Sequence, residues 1–164
     1  MNPVHQYFSG EKNESYLFLV LGLLGLVMSV YLIQINTSIF WRGLALPFIL
    51  VSLLEIIVGV MLIYRSPKDI IRVENFIKNE RVKIITDEIP RMEKVMKNFV
   101  IFRFIEIGLI LTGIIIYFRF TNHDFWRGVG FGLSLQSCIV LLLDCFAEKR
   151  GLIYLGYLNS LSNE

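Results

Sequence analysis

The chain reads as an all-α, polytopic membrane protein, and three observations carry that reading. Of its 164 residues, 55% are hydrophobic and only 18% are charged, with a mean hydropathy of +0.62. A soluble domain this short keeps much of its surface in water and would aggregate with such a composition. The apolar residues are also gathered into four runs, 16–35, 44–64, 99–118 and 128–147, each able to cross a hydrocarbon core of about 30 Å at roughly 1.5 Å per helical residue. Finally, the connections 36–43 and 119–127 are short while 65–98 is long, so the runs pair into two helical hairpins. Backbone groups in lipid must bond within their own segment, which makes these runs helices rather than barrel strands. Low charge excludes disorder, and two Cys in all exclude a disulfide-stapled scaffold.

Residues 1–15 form a polar N-terminal segment, and the first run, 16–35, is a permanent span because no small-x-small cleavage site follows it. The second run, 44–64, completes the first hairpin, 16–64. In the segment 65–98, Ser66-Pro67-Lys68-Asp69 reads as an N-cap with Pro in the first turn, and Ile70, Val73, Phe76 and Ile77 then recur at helical spacing to about Arg81. A second amphipathic stretch starts near Asp87, tolerates Pro90, and carries Met92, Val95, Met96 and Phe99 on one stripe into the third run. The two stripes are expected to pack on each other as a helical hairpin; a partner-docking surface or a helix lying on anionic headgroups are the alternatives. The second membrane hairpin spans 99–147, and 148–164 is a polar tail.

Orientation follows from the cations. Twelve of the Lys and Arg residues fall in 1–15, 65–98 and 148–164, and only Arg42, Arg119 and Arg127 lie in the two short connections. The positive-inside rule places both termini and the long loop in the cytoplasm, with a bacterial inner membrane as the expected location. Lys and Arg alternate with acids in the loop and form no unbroken basic block, so a net charge of +2 is not a nucleic-acid signature.

Phe40-Trp41-Arg42-Gly43 opens the second span and Phe125-Trp126-Arg127-Gly128 the fourth, an offset of 85 that uses both Trp residues of the chain. Trp41, Arg42, Trp126 and Arg127 are interfacial anchors by type. The same offset takes Ala45, Ser52 and Gly59 onto Gly130, Ser137 and Asp144, and Arg65 onto Arg150. This points to a tandem duplication of parallel repeats about an axis along the membrane normal. Small residues at heptad spacing, with Ser15, Gly22, Ser29 and Asn36 in the first span, mark faces for close helix packing. Gly128 and Gly132 form a G-x-x-x-G pair, weak evidence for dimerisation by itself. Gly108 and Thr112 point away from Arg103 and Glu106 on the third span, which suggests a helix contacted on two sides and a homo-oligomer or a membrane-protein partner.

Glu55, Arg103, Glu106 and Asp144 lie within the spans, where a charge at the centre costs about 2.5 to 3.5 kcal/mol on insertion scales. All four fall in the cytoplasmic half. They are expected to form one polar layer, with Arg103 bridging Glu106 at i, i+3 and reaching Glu55 or Asp144. Such a layer fixes helix register or, because carboxylates outnumber guanidinium groups, exchanges a proton or binds a cation; the remaining alternative is snorkelling toward the interface, easiest for Asp144. No catalytic set, metal ligand set or cofactor motif stands out: His5 and His123 belong to opposite faces, and Cys138 and Cys145 lack Cys-x-x-Cys spacing. The expected function is that of a non-enzymatic interaction or assembly module, with a small proton-coupled transporter or ion-conducting oligomer as the alternative.

The orientation is directly testable. A reporter fused after Glu164, or inserted within 81–87, should behave as cytoplasmic, and one near Asn122 as external; the reverse pattern would invert the depth assigned to all four intramembrane charges.

Overall fold

The computed structural model describes residues 3–35 and 38–162, and these fold as α1 (Pro3–Ile35), α2 (Ile39–Asn79), a π-helical turn (Ile84–Glu88), α3 (Ile89–Arg119) and α4 (Asp124–Ser162). Each of the four helices is long and apolar enough to span a membrane. Their 33, 41, 31 and 39 residues correspond to lengths of about 46 to 62 Å, well beyond a hydrocarbon core of about 30 Å. The surplus is gathered at the end that carries both termini. Asn36, assigned above to the small-residue face of the first span, lies outside the described residues.

That charged end differs from expectation. α2 does not break at Ser66-Pro67 but runs through both Pro47 and Pro67. Ser66 caps nothing: it is buried, and its Oγ donates to Glu11 Oε2 at 2.8 Å. The polar segments at the two termini are also helical. In α1, Val4, Tyr7, Phe8, Glu11 and Ser15 form a buried face. In α4, Gly151, Tyr154 and Leu158 do the same. These faces insert between the two stripes of 65–98, so Val73, Phe76 and Met92 share one core with Val4, Phe8, Tyr154 and Leu158. The expected two-helix hairpin is therefore half of a four-helix cap. Tyr7 stacks on Tyr154 with ring centroids 4.3 Å apart and planes 9° from parallel.

Charge reinforces the cap. Glu88, in the π-turn, is 1% exposed and accepts from Arg91 Nε at 2.9 Å and Nη2 at 2.6 Å, from Tyr154 Oη at 3.0 Å and from Arg72 Nη2 at 3.3 Å. Burial, and then Glu88 itself, push the Tyr154 phenol above its ordinary value, so it stays a donor. From Arg72 the chain of ion pairs continues through Asp69 at 3.0 Å and Arg65 at 3.1 Å to Glu11 at 2.8 Å. It thereby ties α1 to α2, the π-turn, α3 and α4.

Within the apolar segments the helices meet along glycine seams. No described glycine has a positive φ, so these residues serve close approach rather than turning. On the α1–α2 seam, a Cβ at Gly22 would stand 2.8 Å from the Ser52 carbonyl oxygen, and one at Gly59 2.8 Å from that of Ser15. On the α3–α4 seam, a Cβ at Gly113 would meet the Gly130 carbonyl at 2.6 Å and one at Gly130 the Gly113 carbonyl at 2.5 Å. The α2–α4 contact is reciprocal in the two Phe-Trp-Arg-Gly sequences: a Cβ at Gly43 would collide with the Phe125 carbonyl oxygen, and one at Gly128 with that of Phe40. Gly132 faces Leu44 O and Pro47, so the G-x-x-x-G face is consumed inside the chain and is not free for a dimer. Among the long helices, α3 packs its backbone closely against α4 alone; α1 and α2 meet it through side chains in the cap, where Arg91 lies over the Phe8 ring at 6.0 Å.

These seams set a stability prediction. Gly43→Val or Gly128→Val should lower the melting temperature in detergent, since overpacking a close contact costs about 1 to 3 kcal/mol or more. Gly108→Val meets nothing within 4 Å and should leave it nearly unchanged. Equal melting of all three variants would contradict the seam.

Candidate functional site

A cavity of about 490 Å³ lies between the helices, bounded at one end by the cap and lined by all four helices. It occupies the space that α3 leaves by packing its backbone closely against α4 alone. Its walls are mostly apolar, with Phe18, Val58, Phe99, Phe102, Leu109 and Val140 among them. Five carboxyl groups also line it: Glu11 and Glu14 from α1, Glu55 from α2, Glu106 from α3 and Asp144 from α4.

These acids fall into two sets. Toward the cap, Glu11 is held by Arg65 and Ser66, and Glu14 by both terminal nitrogens of Arg150 at 2.5 Å each. Deeper in the apolar region the acids lack such partners. Glu55 is 4% exposed; its Oε1 accepts from Gln136 Nε2 at 3.3 Å, and no donor reaches its Oε2. Glu106 is 6% exposed, and no donor reaches its Oε2 either. Asp144, on α4, lines the same cavity.

The expected polar layer is thus only partly assembled. Glu55, Glu106 and Asp144 line one cavity, but Arg103 does not bridge Glu106 or reach Glu55 or Asp144: its guanidinium pairs with Glu148 on α4. The physical reason is reach. Glu148 sits where α4 emerges from its apolar run, and pairing there lets the Arg103 head group, 40% exposed, remain near water. Sequence reasoning had no access to Glu148 or Gln136 as partners, because both contacts join residues far apart in the chain. Glu14 escaped for a different reason: its helix was read as a polar terminus, although the 3–4 spacing of Val4, Tyr7, Phe8, Glu11 and Ser15 carried the signal.

The other singled-out residues are structural in position. Gly22, Ser29, Ala45, Ser52 and Gly59 lie on buried faces of α1 and α2, where Ser29 Oγ donates to Gly25 O at 2.7 Å and Ala45 packs with Leu32 and Leu44. Gly130 lies on the α3 seam, while Ser137 is buried at the cavity wall. Trp41 and Trp126 are exposed at the short-loop end with Arg42, and Arg127 stacks over Tyr117 at 5.2 Å. Among the described residues no group of three His, Cys, Asp or Glu side chains could hold a metal ion. No protein-family model, no curated protein and no solved structure matches this chain.

The reassigned ion pair gives a double-mutant test. Arg103→Leu should lower the melting temperature by leaving Glu148 alone. A second change, Glu148→Leu, should recover most of the loss, whereas Glu106→Leu should not. Recovery by Glu106→Leu instead would restore the intrahelical pair.

Proposed function

We propose that this chain is a small membrane protein that binds and exchanges a proton or a cation at Glu55, Glu106 and Asp144, as a transporter or a subunit of one. The single observation that supports this reading is a cavity walled by all four helices and lined by two nine-tenths-buried carboxyl groups, each with one oxygen that no donor satisfies. A purely structural polar layer would be expected to satisfy its own charges, because an unpaired buried carboxylate destabilises the fold that contains it. The arginines that could neutralise these acids are engaged elsewhere, Arg103 with Glu148, Arg65 with Glu11 and Asp69, and Arg150 with Glu14. None of them is ion-paired with Glu55, Glu106 or Asp144, and a proton or a cationic ligand could supply that positive charge.

In this proposal the cap, the two termini and the segment 65–98 lie on the cytoplasmic side, in keeping with the bias of Lys and Arg. The two hairpins are parallel repeats, a view supported by the reciprocal packing of Gly43 on Phe125 and Gly128 on Phe40, positions related by the same offset of 85 as the repeat. A second reading, association through the membrane, is favoured by α3: its backbone packs closely against one long helix, and beside Gly108 there is open space. Such a face suits another helix, from a second copy or a partner, and the interaction-module function rests on it.

Reconstituted vesicles with an entrapped pH-sensitive dye test the exchange reading. An imposed pH step should relax faster with the protein than without it, and Glu106→Gln or Glu55→Gln should abolish most of the difference. Relaxation unaffected by both substitutions, or no protein-dependent relaxation, would leave the carboxyls a structural role only.

A further inference from the structure

We infer that the cavity takes an organic cation with a bulky apolar body, rather than an inorganic ion. This rests on the exchange reading of the same site and names the class of its cargo. Three features converge on it. The first is size: about 490 Å³ falls within the 300 to 1,000 Å³ or so typical of sites for organic ligands and is far larger than a bare ion needs. The second is the spread of the acids. Metal ions demand several oxygens converging on one point, and the described residues offer no such group; Glu55, Glu106 and Asp144 stand on different helices, α2, α3 and α4. The third is the wall, where Val51, Leu54, Phe102, Leu109 and Val140 could solvate a hydrocarbon body but could not replace the shell of a hydrated ion.

The recognition chemistry follows. An ammonium or phosphonium centre surrounded by apolar groups would place its charge near the carboxyl groups of Glu55 and Glu106, which line the cavity on α2 and α3. Its body would fill the space between α2 and α3 beside the cap, where the two backbones do not approach closely in the described residues. At the cap end the ion pairs Glu14–Arg150 and Glu11–Arg65 bound the cavity. They are already neutral as pairs and would neither attract nor repel the cation strongly. An uncharged lipid tail could enter the same apolar space, but it would leave both carboxyl groups without a counter-charge.

The probe is tetraphenylphosphonium, compared with tetraphenylborate, which has nearly the same shape and the opposite charge. Binding is measured by calorimetry on the full chain in lipid nanodiscs, with empty nanodiscs subtracted. Tetraphenylphosphonium should bind saturably with one site per chain, and tetraphenylborate should show no saturable binding. The comparison uses the unmodified chain and so does not depend on any variant folding. The Glu55→Gln/Glu106→Gln double variant, with folding checked by thermal melting, should weaken tetraphenylphosphonium by about tenfold or more, as expected for loss of charge-assisted contacts. Equal binding of the two probes would identify an acyl-chain groove and overturn the inference, as would affinity unchanged in a folded double variant. If tetraphenylphosphonium fails to bind while Glu106-dependent pH relaxation persists in vesicles, the organic-cation class falls and the exchange reading stands; if both are absent, both fall.

Discussion

Glu88 is 1% exposed, and a carboxylate that deep survives only when its oxygens are fully supplied with donors. Arg91 beside it on α3, Arg72 on α2 and Tyr154 on α4 supply them, and Asp69, Arg65 and Glu11 extend the link to α1. Removing one member of a buried pair typically costs about 3 to 5 kcal/mol, so the four helices are held together here as one charged unit. The π-helical turn at Ile84–Glu88 is part of the same device, since Glu88 is its last residue and takes donors from three helices. At the opposite end the clamp is different in kind. There Gly43, Gly128 and Gly132 bring α2 and α4 to backbone contact, with dispersion and Cα–H···O contacts in place of charge. A bundle fastened at both ends need not close in the middle, and the cavity lies between the two fastenings.

The distribution of acids follows the same division. Glu11, Glu14, Glu88 and Glu148, at the cap and its border, are matched to Arg65, Arg150, Arg91 and Arg103. Of Glu55, Glu106 and Asp144, deeper in the apolar region, none is paired with an arginine, and Glu55 accepts from the Gln136 carboxamide. Arginine ion pairs for the acids of the cap, and none for those deeper in the cavity, are the contrast on which the functional proposal stands. An ion pair near water keeps its head groups partly hydrated, whereas an acid inside the cavity depends on whatever the cavity holds.

The proposed duplication adds a reason for that contrast. The offset of 85 relates Gly59 to Asp144, but the two positions differ in use: Gly59 closes the α1–α2 seam against the Ser15 carbonyl, while Asp144 lines the cavity. Likewise Arg65 and Arg150 both turn to α1, to Glu11 and Glu14, so α1 lies against both α2 and α4 while α3 packs its backbone closely only against α4. This unequal packing leaves space beside α3, and Glu55, Glu106 and Asp144 line it.

The sequence by itself determined the helical, membrane-spanning character of the chain, because twenty apolar residues in a row admit no other satisfaction of their backbone groups. Local spacing also made the small-residue faces at Gly22, Ser52, Gly59 and Gly130 visible, along with the amphipathic stripes at Val73 and Met92. It did not reveal that the termini are helical parts of the cap, since a polar segment with five buried positions resembles a solvated one until its neighbours are known. Pro67 misled for a related reason: it reads as a helix start locally, yet the tertiary partners of Ser66 and Arg65 keep α2 continuous. Only the tertiary structure decided which charges meet. Arg103 has Glu106 one turn away in sequence and Glu148 across the interface in space, and that choice depends on how α3 leans on α4. No periodicity within one helix encodes that angle.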